Sequence, residues 1–99
     1  HQQAVAKAIV EHFDLHEDDV KSCSMGASGE DVQMSPLARS KFPYSIECKD
    51  TQALNVWNAY TQAIANAPVG AEPILVFKRN HTKTMVMVEW NHFLRLHNA

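Results

Sequence analysis

The sequence predicts an α/β sandwich around a mixed sheet, on three observations. A helical period opens the chain, strand-like runs cluster before residue 50, and a strand, a helix and another strand follow one another over residues 44–78. The last pattern implies a right-handed crossover between parallel strands. With 99 residues the chain forms one domain, residues 1–99, with room for one modest core.

The elements follow in order. Over residues 3–13, Ala4, Val5, Ala8, Ile9, His12 and Phe13 recur on one face of a 3.6-residue period, which predicts an amphipathic helix. An acidic turn at 14–19 leads to a short strand at 20–24. Residues 25–30, with two glycines, read as a flexible connection to a second strand at 31–34. Ser35 followed by Pro36 reads as an N-cap with proline at the first helical position, giving one helical turn over 36–41. Pro43 closes it. In the next strand, 44–49, Tyr44, Ile46 and Cys48 point one way and Ser45, Glu47 and Lys49 the other. Asp50 or Thr51 is expected to cap a helix running to about Asn66. Its apolar face is Ala53, Val56, Trp57, Tyr60, Ala63, Ile64 and Ala67, and its polar face Asn55, Asn58, Gln62 and Asn66. Pro68 and Gly70 end it. Runs at 74–78 and 85–89 read as a hairpin, and a short terminal helix is expected from a cap at Asn91 through 92–96.

Composition narrows the function classes. Hydrophobic residues make up 45% and charged residues 20%, which argues against disorder. No apolar run approaches the ~20 residues of a membrane-spanning helix. Two cysteines, Cys23 and Cys48, are too few for a disulfide framework and read as reduced thiols of a cytosolic protein. Opening on His1 rather than Met, the chain reads as lacking its natural start. The net charge of −2 hides a balance of −4 in residues 1–50 and +2 in residues 51–99. The global basic field of many nucleic-acid binders is therefore absent, which leaves room only for a local site.

The sharpest chemical feature is Asp31 with Glu47-Cys48-Lys49. Glu47 and Lys49, two apart on a strand, project from one face about 7 Å apart. With Asp31 on the neighbouring strand, two carboxylates and an ammonium converge. Carboxylate oxygens, with the Cys48 backbone carbonyl as a further ligand, suit Mg²⁺. A lysine beside a metal-bound water orients or helps deprotonate it. Taken on spacing alone, the plainer reading is a surface strand whose Glu and Lys are solvated.

Gly29-Glu30-Asp31, then Ile46-Glu47-Cys48-Lys49, then a helix bearing Gln62 resembles the PD-(D/E)XK nuclease superfamily. Residues 24–36 and 42–49 are similar to phage-encoded Holliday-junction resolvase-like endonucleases, and the similarity runs from Gln2-Gln3 to Asn80. The resemblance implies a restriction-endonuclease-like αβββαβ core, a mixed central sheet flanked by helices, and Mg²⁺- or Mn²⁺-dependent hydrolysis of DNA phosphodiesters. It gives Asp31 and Glu47 the metal-ligand role, Lys49 the water-positioning role, Gln62 a supporting role, and Ser28 the role of a mobile-loop serine. A first-helix Glu of such nucleases has no direct counterpart: Gln2 or Gln3 stands near that place, with Glu11 further along. The resemblance also implies a branched-DNA substrate and action in the cytoplasm of a bacterial host. Paired symmetric nicks at a four-way junction imply a homodimer with two active sites.

Phosphate contacts are expected from Arg39, Lys41, Lys78 and Arg79, with Lys21 and Lys83 as further exposed cations; for each, a solubility role is the plainer alternative. His12 and His16 have the spacing of a helical metal pair, without a third ligand nearby. Trp57 and Tyr60 have the rings to stack on bases but share an apolar helix face, which favours a core or dimer-interface use. Two further functions stay open: a nuclease acting on flaps, nicks or duplex sites, and a non-catalytic α/β module that binds DNA or protein.

Overall fold

A computed structural model describes residues 1–23, 30–50 and 54–98, and places four helices with two small sheets. Helix α1 (Gln2–Phe13) turns Ala6 and Ile9 inward and ends at Asp14, whose φ of 53° is a left-handed conformation that aspartate tolerates. A 3-10 turn (Glu17–Asp19) follows, capped by His16, whose Nδ1 accepts from the Asp18 N–H at 3.1 Å. Strands β1 (Val20–Ser22) and β2 (Val32–Met34) pair antiparallel. Helix α2 (Pro36–Lys41) has the expected cap: Ser35 Oγ accepts from the Ala38 N–H and donates to Asp19 Oδ1 at 2.7 Å.

Strand β3 (Tyr44–Asp50) runs parallel to β4 (Glu72–Lys78) in a seven-residue register from Tyr44↔Glu72 to Asp50↔Lys78, with α3 (Val56–Asn66) as the crossover. Strand β5 (Met85–Met87) pairs antiparallel with β4 and closes the expected hairpin, and α4 (Trp90–Arg95) follows. One face of β3 and β4 (Tyr44, Ile46, Cys48, Ile74, Val76) joins Ala6, Ile9, Val20, Val32 and Ala38 in the core. The other face buries Ser45, Glu47 and Leu75, and Ala59 and Ala63 are the buried residues of α3.

Four expectations need correction. On α1 the buried residues are Ala6 and Ile9, whereas Ala4, Ala8 and His12 of the expected face are exposed and line an apolar groove beside the sheet. Asp50 does not cap α3, because it continues the β3 ladder opposite Lys78; Asn55 is the cap, its side chain accepting from the Asn58 N–H. Thr51 and Ala53 lie outside the described residues. The inward face of α3 is also rotated. Trp57 is 70% exposed and Ile64 54%, so neither enters the core, while the small Ala59 and Ala63 bring the helix close to the sheet. Finally, Glu89 caps α4 in place of Asn91, its carboxylate accepting from the Asn91 and His92 N–H groups at 2.7 and 3.0 Å. An anion at a helix start is favourable both as acceptor and against the helix dipole. No helix among the described residues is long and apolar enough to cross a membrane.

Candidate functional site

Asp31 stands at the entrance to β2 and joins the two sheets. Its backbone N–H donates to the Ile46 carbonyl at 3.2 Å, and its own carbonyl accepts from the Cys23 N–H at 2.8 Å. Its side chain continues the bridge, Oδ2 accepting from the Cys48 N–H at 2.7 Å. A residue's N–H and C=O leave a strand on the same side, so the Cys48 carbonyl also leaves β3 toward Asp31.

Glu47 is the buried member of the pair, only 4% exposed. The face expected to be polar is thus an interior face lying under α3. Lys49 Nζ is 3.4 Å from Glu47 Oε2, and the Asn66 side chain at the end of α3 also favours the charged form of this carboxylate. Burial first, and then the Asp31 charge, push the Glu47 carboxyl above the usual range, while Lys49 and Asn66 pull it back. Lys49, its side chain one-third exposed, spans from this interior to solvent.

The Cys48 side chain points the other way, into the core. Burial, reinforced by the Asp31 and Glu47 charges, pushes its thiol up to about 12, so it stays protonated and offers the site only its backbone. Cys23 and Cys48 are both buried, and neither forms a disulfide among the described residues.

Asp31 thus bonds the backbone between Glu47 and Lys49, its charge acts on Glu47, and Lys49 pairs with Glu47. Gln62 is exposed, and the carboxamide that reaches Glu47 belongs to Asn66, one turn later on the same side of the helix. Ser28 lies outside the described residues. Gln2 and Gln3 line a cleft of about 530 Å³ with His1, Ser22, Cys23, Cys48 and Asp50. Glu11 faces solvent beside Lys7, 3.9 Å away.

Among the expected phosphate contacts, Arg39 has partners within the fold. Its guanidinium makes a two-pronged ion pair with Glu30 at 2.9 and 3.0 Å and donates to the Tyr44 carbonyl at 2.6 Å, so its charge is spent inside the fold. Lys41 and Arg79 are exposed, and Lys78 is half-buried at the end of β4. Lys21 lies 3.9 Å from Asp18.

Among the described residues, no three His, Cys, Asp or Glu side chains gather to hold a metal, so His12 and His16 form no such centre. A cation here would draw on Asp31, Glu47 and the Cys48 carbonyl, with water completing its shell. That all-oxygen set fits Mg²⁺ or Mn²⁺ and suits neither zinc nor a softer metal. No family model, curated protein or solved structure matches this chain.

Proposed function

We propose that this chain is a metal-dependent DNA endonuclease with a restriction-endonuclease-like αβββαβ core, acting on four-way junctions as a homodimer. The observation that carries the reading is Glu47. A carboxylate buried to 4% exposure beside a second carboxylate is costly to the fold, and such arrangements concentrate where chemistry needs them. Asp31 and Glu47 would hold the cation with the Cys48 carbonyl. The bound ion supplies charge stabilisation at the phosphate and an acidified water. Lys49 would position the attacking water, and the Asn66 side chain favours the charged Glu47 carboxylate. Symmetric nicking of a junction then needs two such sites related by a two-fold axis.

The test is a labelled four-way junction incubated with the protein in Mg²⁺ and in EDTA. Paired symmetric nicks in Mg²⁺ alone support the reading. Asp31→Asn is expected to abolish cleavage and leave junction binding intact, because the asparagine oxygen still accepts the Cys48 N–H. Cleavage undiminished in that variant removes Asp31 from the ligand set. One observation favours a second reading, a non-catalytic α/β binding module: Asp31 Oδ2 already has a structural partner at 2.7 Å. Binding without nicks in any divalent ion selects it.

A further inference from the structure

We propose that β5 is a dimer-forming edge, pairing antiparallel with β5 of a second copy about a two-fold axis through Val86. The proposal rests on the nuclease reading only for its consequence, the placing of two sites in one particle.

Strand β5 ends the sheet order β3-β4-β5, and among the described residues no strand pairs with its outer side. Sheet edges are normally guarded by charge, proline or a bulge. This one is not: residues 84–88 read Thr-Met-Val-Met-Val, without a charge, a proline or a glycine. Met85 is 56% and Val86 53% exposed, on opposite faces of the strand.

What selects a second copy as occupant is the pattern of charge around that run. In an antiparallel pair centred on Val86, Val86 meets Val86 and Met85 meets Met87 of the second copy. One step further Thr84 meets Val88, and then Lys83 meets Glu89, twice by symmetry. The charges that bound the apolar run are thus opposite in sign and equally distant from its centre. Opposite charges facing across strands stabilise the pair, whereas any shifted register separates them. Both residues are exposed, and Glu89 has an extended backbone (φ −69°, ψ 138°) two residues beyond the end of β5.

Helix α4 adds apolar surface immediately beyond. It buries no residue of its own. Its polar His92 faces inward, with Nε2 2.6 Å from the Tyr44 hydroxyl and Nδ1 3.8 Å from Glu72, while Trp90, Phe93 and Leu94 face out at 66, 42 and 45% exposure. A helix with its apolar side outward is the arrangement of an interface element.

The experiment measures mass by light scattering and sedimentation across a dilution series, without DNA. The wild type is expected to dimerise, and Val86→Lys, which sets two ammonium groups face to face, to be monomeric with an unchanged circular dichroism spectrum. Lys83→Glu and Glu89→Lys proteins should each self-associate at least tenfold more weakly, yet form a mixed dimer when combined. Because Glu89→Lys also removes the α4 cap, a second measurement stands beside it: Val86→Cys should cross-link to itself on oxidation and Thr82→Cys should not. A wild type monomeric at every concentration overturns the proposal, as does a Val86→Lys dimer of unchanged affinity or cross-linking through position 82 instead. A dimer that never nicks overturns the nuclease reading alone. A monomer that nicks overturns this pairing alone.

Discussion

A carboxyl group that loses its water on folding resists ionisation, and Glu47 carries that cost at the centre of the site. Because its carboxyl titrates higher in the folded than in the unfolded chain, the folded state holds the proton more tightly. The stabilisation this gives is fully present below the unfolded carboxyl range and is lost as pH rises through the raised folded value. Glu47→Gln removes the charge while keeping a group for Asn66 to bond. It is expected to raise Tm near neutral pH by several degrees, the size that about 1 kcal/mol produces in so small a domain. The advantage should shrink toward acid pH, and thermal melts at a series of pH values check it. Under the nuclease reading the same variant loses cleavage, so stability and activity move in opposite directions. A Tm that falls by as much at every pH would make Glu47 a structural residue. Asp31 behaves differently, since its Oδ2 satisfies a backbone N–H; Asp31→Ala leaves that donor unpaired, at about 1–3 kcal/mol.

Elements show where sequence patterns are sufficient and where partners decide. The Ser35-Pro36 start of α2 follows from local rules and is present, and α1 forms where its period predicts, although with Ala6 and Ile9 inward and Ala4, Ala8 and His12 exposed. The alternation along β3 does not carry over into burial, since Tyr44 through Cys48 are all buried. The start of α3 does not follow from local rules: Asp50 has the chemistry of a cap, but pairing opposite Lys78 keeps it in the strand, and Asn55 takes the role. Nor does the inward face of α3. Hydrophobicity places Trp57 inside, whereas close approach over Leu75 admits only Ala59 and Ala63. The pair of Glu47 and Lys49 is legible because strand alternation puts both on one face of β3, whereas the place of Asp31 depends on how its segment crosses to Cys48. Asn66 is not legible, because its role depends on how far α3 is rotated. Arg39 illustrates the same limit, since its Glu30 partner lies nine residues away across a turn. Arg39→Ala is expected to cost about 1–2 kcal/mol, from a partly buried charge-assisted pair, and to leave the salt dependence of DNA binding unchanged. Denaturation and binding isotherms on one preparation decide between that anchoring role and a phosphate contact.

For the whole molecule, a net charge of −2 means that attraction to a polyanion comes from a patch and not from the chain as a body. The hairpin between β4 and β5 supplies one: Lys78, Arg79 and Lys83 fall within six residues, and no carboxylate lies between them. In the proposed two-fold pair centred on Val86 the two copies of this hairpin would lie at opposite ends of one central pair of strands, and the particle would present two basic patches in place of one. Each phosphate contact contributes roughly one unit to the slope of log affinity against log salt. Lys78→Ala with Arg79→Ala, applied to a dimer, therefore removes up to four such contacts. The slope is expected to flatten by about four units if both hairpins engage DNA, and by about two if only one does. Junction-binding isotherms over a range of salt concentrations read the number directly. An unchanged slope would move the DNA contact away from the hairpin altogether.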